Sequence, residues 1–530
     1  MEAQRVFIYD TTLRDGTHGE KINFSAEEKL RIAQRLDELG FHYIEGGWPG
    51  SNPKDVRFFE MAKGFSFRQA RLTAFGSTRK PGIRPENCRN LRALLRAETP
   101  AVAIFGKSWN LHVAEILGIP LEENLEMIRD SIAFLKARGK EVIFDAEHFF
   151  DGWRHNPAYS LETLKAARDA KADWIVLCDT NGGTLPHDLT AAVQKVAALI
   201  PPDCLGIHVH NDCGLAVANT LAAVHAGAVM VQGTVNGYGE RCGNADLTSV
   251  IGNLQLKMNR ACLSEASLRQ LTNLSYYVSE VANVRPLPFR PFVGRSAFAH
   301  KGGVHVSALA KNPLAYEHIR PEWVGNRQRV LVSDLAGKSS IAFKAKELGI
   351  DLGDNETVNR KIVWEIKRLE DQGFQFDAAD GSLALLMKKI TGAFKEPFTL
   401  QRFSVTNEKT RNNPSLCQAT IKISVGNEEE LTAAEGNGPV NALDHALRKA
   451  LTKFYPQINE MHLIDFKVRI VEGSEGTAAR VKVLLDSRDG EEVWSTIGVS
   501  ENIIEASWQA LVDSIQYKLS KDKLNKNDHA

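Results

Sequence analysis

Within HVHNDCG, residues 208–214, two histidines stand one residue apart, followed by Asn211 and Asp212. On an extended strand alternate side chains share a face, so His208 and His210 point the same way. Imidazoles spaced roughly 6–7 Å along one strand face can share a single metal ion. Taken alone, an HxH pair is also what buried structural histidines look like. A second segment, Asp10–Gly16 (DTTLRDG), sets the carboxylates of Asp10 and Asp15 beside the guanidinium of Arg14. By itself it also reads as a charged loop closed by a local salt bridge. A third, Gly233–Asn244 (GTVNGYGERCGN), is rich in glycine, which lets backbone approach a ligand closely, and it ends in Asn244. Two imidazoles, one carboxylate and one amide oxygen make a mixed set of nitrogen and oxygen donors. Such a set suits Mg²⁺, Mn²⁺ or another divalent ion and leaves room for a substrate that chelates through two oxygens. It does not indicate thiolate-rich zinc chemistry.

These segments need a scaffold that brings them to one place. The first half of the chain repeats a β-rich run, a loop and a helical run. Candidate strands are Arg5–Tyr9, His42–Glu45, Leu72–Phe75, Val102–Phe105, Val142–Asp145, Trp174–Cys178, Leu205–His210 and Met230–Gly233. Between the first two lies Ser25–Leu39, where Ser25 and Glu28 form a capping box and Leu30, Ala33, Leu36 and Leu39 share one face. Eight βα units in roughly 270 residues have the size of a (β/α)₈ TIM barrel. A doubly wound open sheet is the alternative. Polar residues at the C-terminal ends of most strands favour the barrel, because barrels keep their chemistry there.

The pattern changes near residue 280. Val284–Val293 (VRPLPFRPFV) carries three prolines and reads as a connector. Residues 296–390 look mainly helical. From about 395 strands and helices alternate, and Glu429–Leu451 resembles Glu491–Ile515, each a strand end, a glycine-containing turn and a helix. The two copies lie roughly 62–64 residues apart, which indicates a small α+β domain built from two related halves. The reading is therefore a catalytic barrel over 1–280, a connecting helical subdomain over 281–394 and a C-terminal domain over 395–530.

Composition narrows the function classes. A chain of 530 residues suits two or three domains. Lys plus Arg and Asp plus Glu number 65 each, which argues against a nucleic-acid or polybasic membrane binder. The opening MEAQRVFIYD has no apolar signal core, and no run approaches the roughly 20 apolar residues of a membrane span. Seven cysteines without a CxxC pair read as free thiols in the cytoplasm.

Together, DTTLRDG, HVHND and GYGERCGNA resemble the α-isopropylmalate synthase and homocitrate synthase family of metal-dependent acyltransferase barrels. The resemblance spans nearly the whole chain. Ala297–Lys311 (AFAHKGGVHVSALAK) resembles the family's catalytic-histidine segment, and 395–520 its C-terminal allosteric dimerisation domain. More narrowly, GGWPGSNPKD (46–55) and AHKGGVHVSAL are similar to the branch of the family that forms citramalate. The resemblance implies that Asp15, His208, His210 and Asn244 are the metal ligands and that Arg14 steadies an oxyanion. It implies that Glu147 and His305 are catalytic and that Thr180 binds the keto acid's carboxylate. The surrounding sequence departs most from the family around Glu147 (FDAEHFFDG).

The chemistry implied is a Claisen-type condensation. A base takes a proton from the acetyl-CoA methyl group, the enolate attacks the ketone of a 2-keto acid, and water hydrolyses the thioester. Pyruvate is the acceptor implied by the branch, with isoleucine as feedback effector and a homodimer as the assembly. The alternatives are 2-oxoisovalerate, which gives 2-isopropylmalate; a carbon–carbon lyase; and an amino-acid sensor without activity. Pyruvate and 2-oxoisovalerate differ by two methyl groups, so pocket shape and not the metal motif separates them.

Overall fold

The computed structural model describes residues 4–201, 203–333, 338–352, 356–409, 416–471, 479–490 and 492–527. Eight parallel strands close in chain order: β1 (Phe7–Asp10), β2 (Tyr43–Gly47), β3 (Arg71–Ser77), β4 (Ala101–Lys107), β5 (Glu141–Glu147), β6 (Trp174–Asp179), β7 (Leu205–Val209) and β8 (Met230–Gly233). β1 pairs with both β2 and β8, so the sheet is a barrel and not the open alternative. Every expected strand is present, with ends shifted by a residue or two.

Local sequence explains the elements. The apolar runs are buried on both faces, as parallel strands covered by helices must be. One face fills the barrel with Tyr9, Tyr43, Ile143, Trp174, Val176 and Met230. The other packs against helices α1 (Ala26–Glu38), α2 (Pro53–Ala62), α3 (Arg89–Arg96) and their successors. The Ser25–Glu28 capping box forms as expected. The buried face of α1 is broader than its apolar pattern: Ile32, Ala33 and Leu36 are buried with Lys29 and Asp37, while Leu30 is only partly covered.

The chain divides into two compact units, Met1–Phe298 with Ile319–Arg327, and Ala299–His318 with Gln328–Ala530. In the second unit, β9 (Ala299–His300) and β10 (Arg329–Val330) form a short parallel pair. Helices Lys338–Glu347, Glu356–Asp371 and Asp380–Thr391 enclose Ile341, Ile362, Ile366, Leu383 and Met387. Then β11 (Thr399–Glu408), β12 (Leu416–Val425) and β13 (Glu428–Gly436) make an antiparallel sheet followed by helix Pro439–Thr452. The order repeats in β14 (His462–Ile470), β15 (Val481–Arg488), β16 (Val493–Ser500) and helix Ile503–Asn527. The duplication extends to detail. Thr432 Oγ1 donates to Ala446 O at 2.9 Å, and its counterpart Thr496 Oγ1 donates to Ala510 O at 2.8 Å. Both halves share one apolar core, in which Ile421 and Leu447 join Leu485 and Leu511. Glu491, first residue of the second expected copy, lies outside the described residues.

Candidate active site and metal centre

The C-terminal ends of the barrel strands bring three of the four expected ligand side chains together. β7 carries His208. His210 follows one residue beyond the strand and bridges to Asn244 through an isolated backbone pair. Asp15 opens the single turn that follows β1. One donor atom from each of Asp15, His208 and His210 lies within 4.8 Å of the other two, and all three residues are buried. His208 Nε2 is 3.4 Å and His210 Nε2 3.8 Å from Asp15 Oδ2, and the two Nε2 atoms are 3.3 Å apart.

The surroundings fix how these donors face. Gln232 Nε2 donates to Asp145 Oδ1 at 3.1 Å, which turns Gln232 Oε1 toward His208 Nδ1 at 3.0 Å. An imidazole that donates from Nδ1 keeps the Nε2 lone pair for a metal. Asn244 donates Nδ2 to Tyr238 O at 3.1 Å, while its Oδ1 is buried without a hydrogen-bond partner. A buried acceptor left unmade is costly, and an oxygen ligand to a cation is one way to satisfy it. Gly239 permits this placement, because a Cβ there would stand 2.2 Å from Asn244 Nδ2. The donors present therefore fit a divalent ion with mixed oxygen and nitrogen ligation.

Electrostatics are those of a tight cluster. Burial alone would raise the Asp15 carboxyl, but Arg14 and then the two histidines hold it well below the usual range. Burial disfavours the His208 cation, yet Asp15 outweighs it and raises the imidazole. His210 is pushed down to about 4 by burial and by the charge on His208. Asp145 is pushed up to about 7, by burial first and then by Glu45.

Arg14 pairs with Asp15 at 3.2 Å, so the local salt bridge exists, but its shorter partner is Glu45 Oε1 at 2.6 Å. Glu45 also accepts from Tyr9 and Thr11, each at 2.5 Å, and its own position is thereby locked. The Arg14 guanidinium lies 3.7 Å from the Phe75 ring centroid. Glu147 ends β5 and ion-pairs with Lys107 at the end of β4. Thr180 follows β6, and its Oγ1 accepts from the His148 amide at 2.8 Å. Arg14, Asp15, Glu147, Thr180, His208 and His210 all line one cavity of about 230 Å³, with Trp48, Phe75 and Phe105 as its apolar wall.

His305 belongs to the second unit. It lies in helix Gly303–Leu309, is exposed, and stacks on Tyr316 with ring centroids 4.0 Å apart.

Comparison with known proteins decides the family. The chain matches the HMGL-like family over residues 5–278, the homocitrate synthase post-HMGL domain-like family over 292–374 and the LeuA allosteric (dimerisation) domain over 377–519. It is 54% identical over 519 residues to an (R)-citramalate synthase of Geobacter sulfurreducens, covering 98% of each chain. It is 53% identical over 523 residues to one of Aquifex aeolicus, covering 98% of this chain and 99% of that one. The chain belongs to the (R)-citramalate synthase family. A probable 2-isopropylmalate synthase of Methanopyrus kandleri stands further off, at 32% identity over 513 residues, with 96% of this chain and 98% of that one covered.

In this member of the (R)-citramalate synthase family, the sequence motifs missed the residues that hold the site in shape. Glu45, Gln232 and Lys107 reach it from three other strands. Each is a polar residue at or near the C-terminal end of an apolar strand, and that was the available signal. Trp48 sits just past β2 in a stretch read only as a mark of the branch. Among the described residues no helix is long and apolar enough to cross a membrane.

Proposed function

We propose that this chain condenses acetyl-CoA with pyruvate and hydrolyses the resulting thioester, releasing (R)-citramalate and CoA. The observation that carries the reading is the buried Asp15–His208–His210 cluster with the unpartnered Asn244 oxygen, in a chain this close end to end to (R)-citramalate synthases. Asp15, His208, His210 and Asn244 hold the divalent ion, Mg²⁺ or Mn²⁺. Once bound, that ion supplies a Lewis acid and a template for the keto acid.

The side chains do the rest. Thr180 already accepts a hydrogen bond from the His148 amide, which leaves its hydroxyl proton for the substrate's carboxylate. Glu147 and His305 are the candidate bases for the proton of the acetyl methyl group, Glu147 being held at the mouth by Lys107. Carbon–carbon bond formation turns the ketone oxygen into an alkoxide. Arg14, fixed by Glu45, supplies positive charge where that charge develops. Water then cleaves the thioester, and CoA leaves as the thiol.

Residues 1–280 form the catalytic domain, 281–394 the connecting subdomain and 395–530 the allosteric and dimerisation domain. Phe466, Val468 and Ile470 alternate along β14 and are 42%, 39% and 62% exposed. A row of apolar side chains on one strand face supports a homodimer formed through this domain. Isoleucine is the proposed effector there, and the seven free thiols suit a cytoplasmic protein.

The test is acetyl-CoA-dependent thiol release with Mg²⁺ or Mn²⁺, comparing pyruvate, 2-oxobutyrate, 2-oxoisovalerate and 2-oxoglutarate, with and without isoleucine. A strong preference for pyruvate is expected. Preference for 2-oxoisovalerate would keep the fold and metal site but move the protein to the leucine pathway.

A further inference from the structure

We propose that Trp48 sets the size limit on the acceptor's alkyl group, and that Asn90 and the buried Lys29–Asp55 pair are the positioning residues that hold it there. The inference rests on the 2-keto acid reading above.

The cavity lining holds two chemically different sets of residues. Arg14, Thr180, Glu147 and the Asp15–histidine cluster are polar, and Trp48, Phe75 and Phe105 are aromatic, with the Arg14 guanidinium resting on Phe75. A 2-keto acid has the same division: a carboxylate and ketone at one end and a single alkyl substituent at the other. The polar groups claim the oxygens, so the alkyl group belongs against the rings. Phe75 and Phe105 stack at 5.6 Å, and Trp48 stands edge-on to both at 5.7 Å with interplanar angles of 85° and 83°. Such a corner is rigid only if the indole cannot swing away.

Two anchors hold the residue, one on its ring and one on its backbone. Trp48 Nε1 donates to Asn90 Oδ1 at 2.7 Å, and Asn90, on α3, is itself fixed by donating Nδ2 to Ser77 O at 2.6 Å. The Trp48 amide donates to Asp55 Oδ2 at 2.8 Å. Asp55 on α2 ion-pairs with Lys29 on α1, whose ammonium also donates to Gly46 O at 3.2 Å. Lys29 is 1% exposed, so this pair lies in the protein interior and not on a solvated face. Gly47 is required by it: its φ is +147°, and a Cβ there would stand 2.3 Å from the Asp55 carboxyl carbon. The stretch GGWPGSNPKD thus encodes a backbone clamp that ends in Asp55 and presents Trp48.

The experiment is steady-state kinetics on full-length protein with pyruvate, 2-oxobutyrate and 2-oxoisovalerate. Trp48→Val and Trp48→Phe change the ring, and Asn90→Ala removes its anchor. Trp48→Val is expected to raise the ratio of kcat/KM for 2-oxoisovalerate over pyruvate at least tenfold, within the about 10–200-fold that a methylene-sized change in an apolar pocket supports. Trp48→Phe and Asn90→Ala should move the ratio in the same direction by less, with KM rising more than kcat falls. Folded variants with unchanged ratios and an active pyruvate reaction would overturn the proposal. If wild-type protein fails to use any of the three acids, the 2-keto acid reading itself fails, whatever the variants do.

Discussion

The barrel mouth and the duplicated C-terminal sheets bury side chains for opposite ends. At the mouth the buried groups are charged and polar: Asp15, His208, His210, Glu45 and Gln232 are each under a tenth exposed. Most pair with one another through contacts between different strands, while His210 Nδ1 and the Asn244 oxygen have no hydrogen-bond partner. In the C-terminal halves the shared core is apolar, with Ile421, Leu447, Leu485 and Leu511 together, while β14 leaves apolar side chains exposed. An interior of mutually dependent charges is poor for stability alone and good for chemistry. An apolar interior beneath an apolar outer strand is suited to docking a second copy. Duplication produced two equivalent βββα halves; the barrel instead drew its site from loops that do not resemble one another.

The contrast can be broken most severely at the mouth. His208→Ala should remove bound metal, read by elemental analysis, and lower CoA release by on the order of 10²–10³-fold or more. The assembly mass should not change. Loss of the dimer in that variant would mean the two regions are not separable.

Asp55→Ala leaves the Lys29 ammonium buried without its partner. A cost of about 3–5 kcal/mol in urea unfolding is expected. A change below about 1 kcal/mol would show that water reaches Lys29 and that the clamp is loose.

Gln232→Leu removes the group that orients His208, together with its hydrogen bond to Asp145. Metal affinity, measured by titration, should fall about 10–100-fold with the fold intact. An unchanged affinity would mean that His208 is held by its strand alone.

The smallest effect on turnover is expected from Phe466→Glu on the exposed face of β14. Light scattering should report half the mass and isoleucine should no longer inhibit, while the pyruvate rate stays within about twofold, as for most surface changes. Retention of both dimer and inhibition would send the interface elsewhere.

Much of this was legible in the sequence because it is local. Strands such as WIVLC and HVH announce themselves by composition, and a two-residue period fixes that His208 and His210 face one way. The capping box at Ser25 is a four-residue signal and formed as read. What escaped was non-local. Arg14 lies beside Asp15 in sequence, yet the residue that sets its position is Glu45, 31 residues on. Glu147 pairs with Lys107 of the neighbouring strand, a contact only the barrel's register creates. Lys29 lies on α1's buried face, where an apolar pattern does not count a lysine. Trp48 belongs to the pocket because Asn90 and Asp55 hold it there; Asn90 carries no recognisable motif, and the motif that includes Trp48 and Asp55 does not show that the two meet.

The most direct test of the central claim is CoA release from acetyl-CoA and pyruvate by protein stripped of metal and then titrated with Mn²⁺. No release before metal, and release that saturates near one ion per chain in wild type but not in an Asn244→Ala variant, is the predicted result. Full turnover by the stripped protein, or an Asn244→Ala variant that titrates like wild type, would contradict the account.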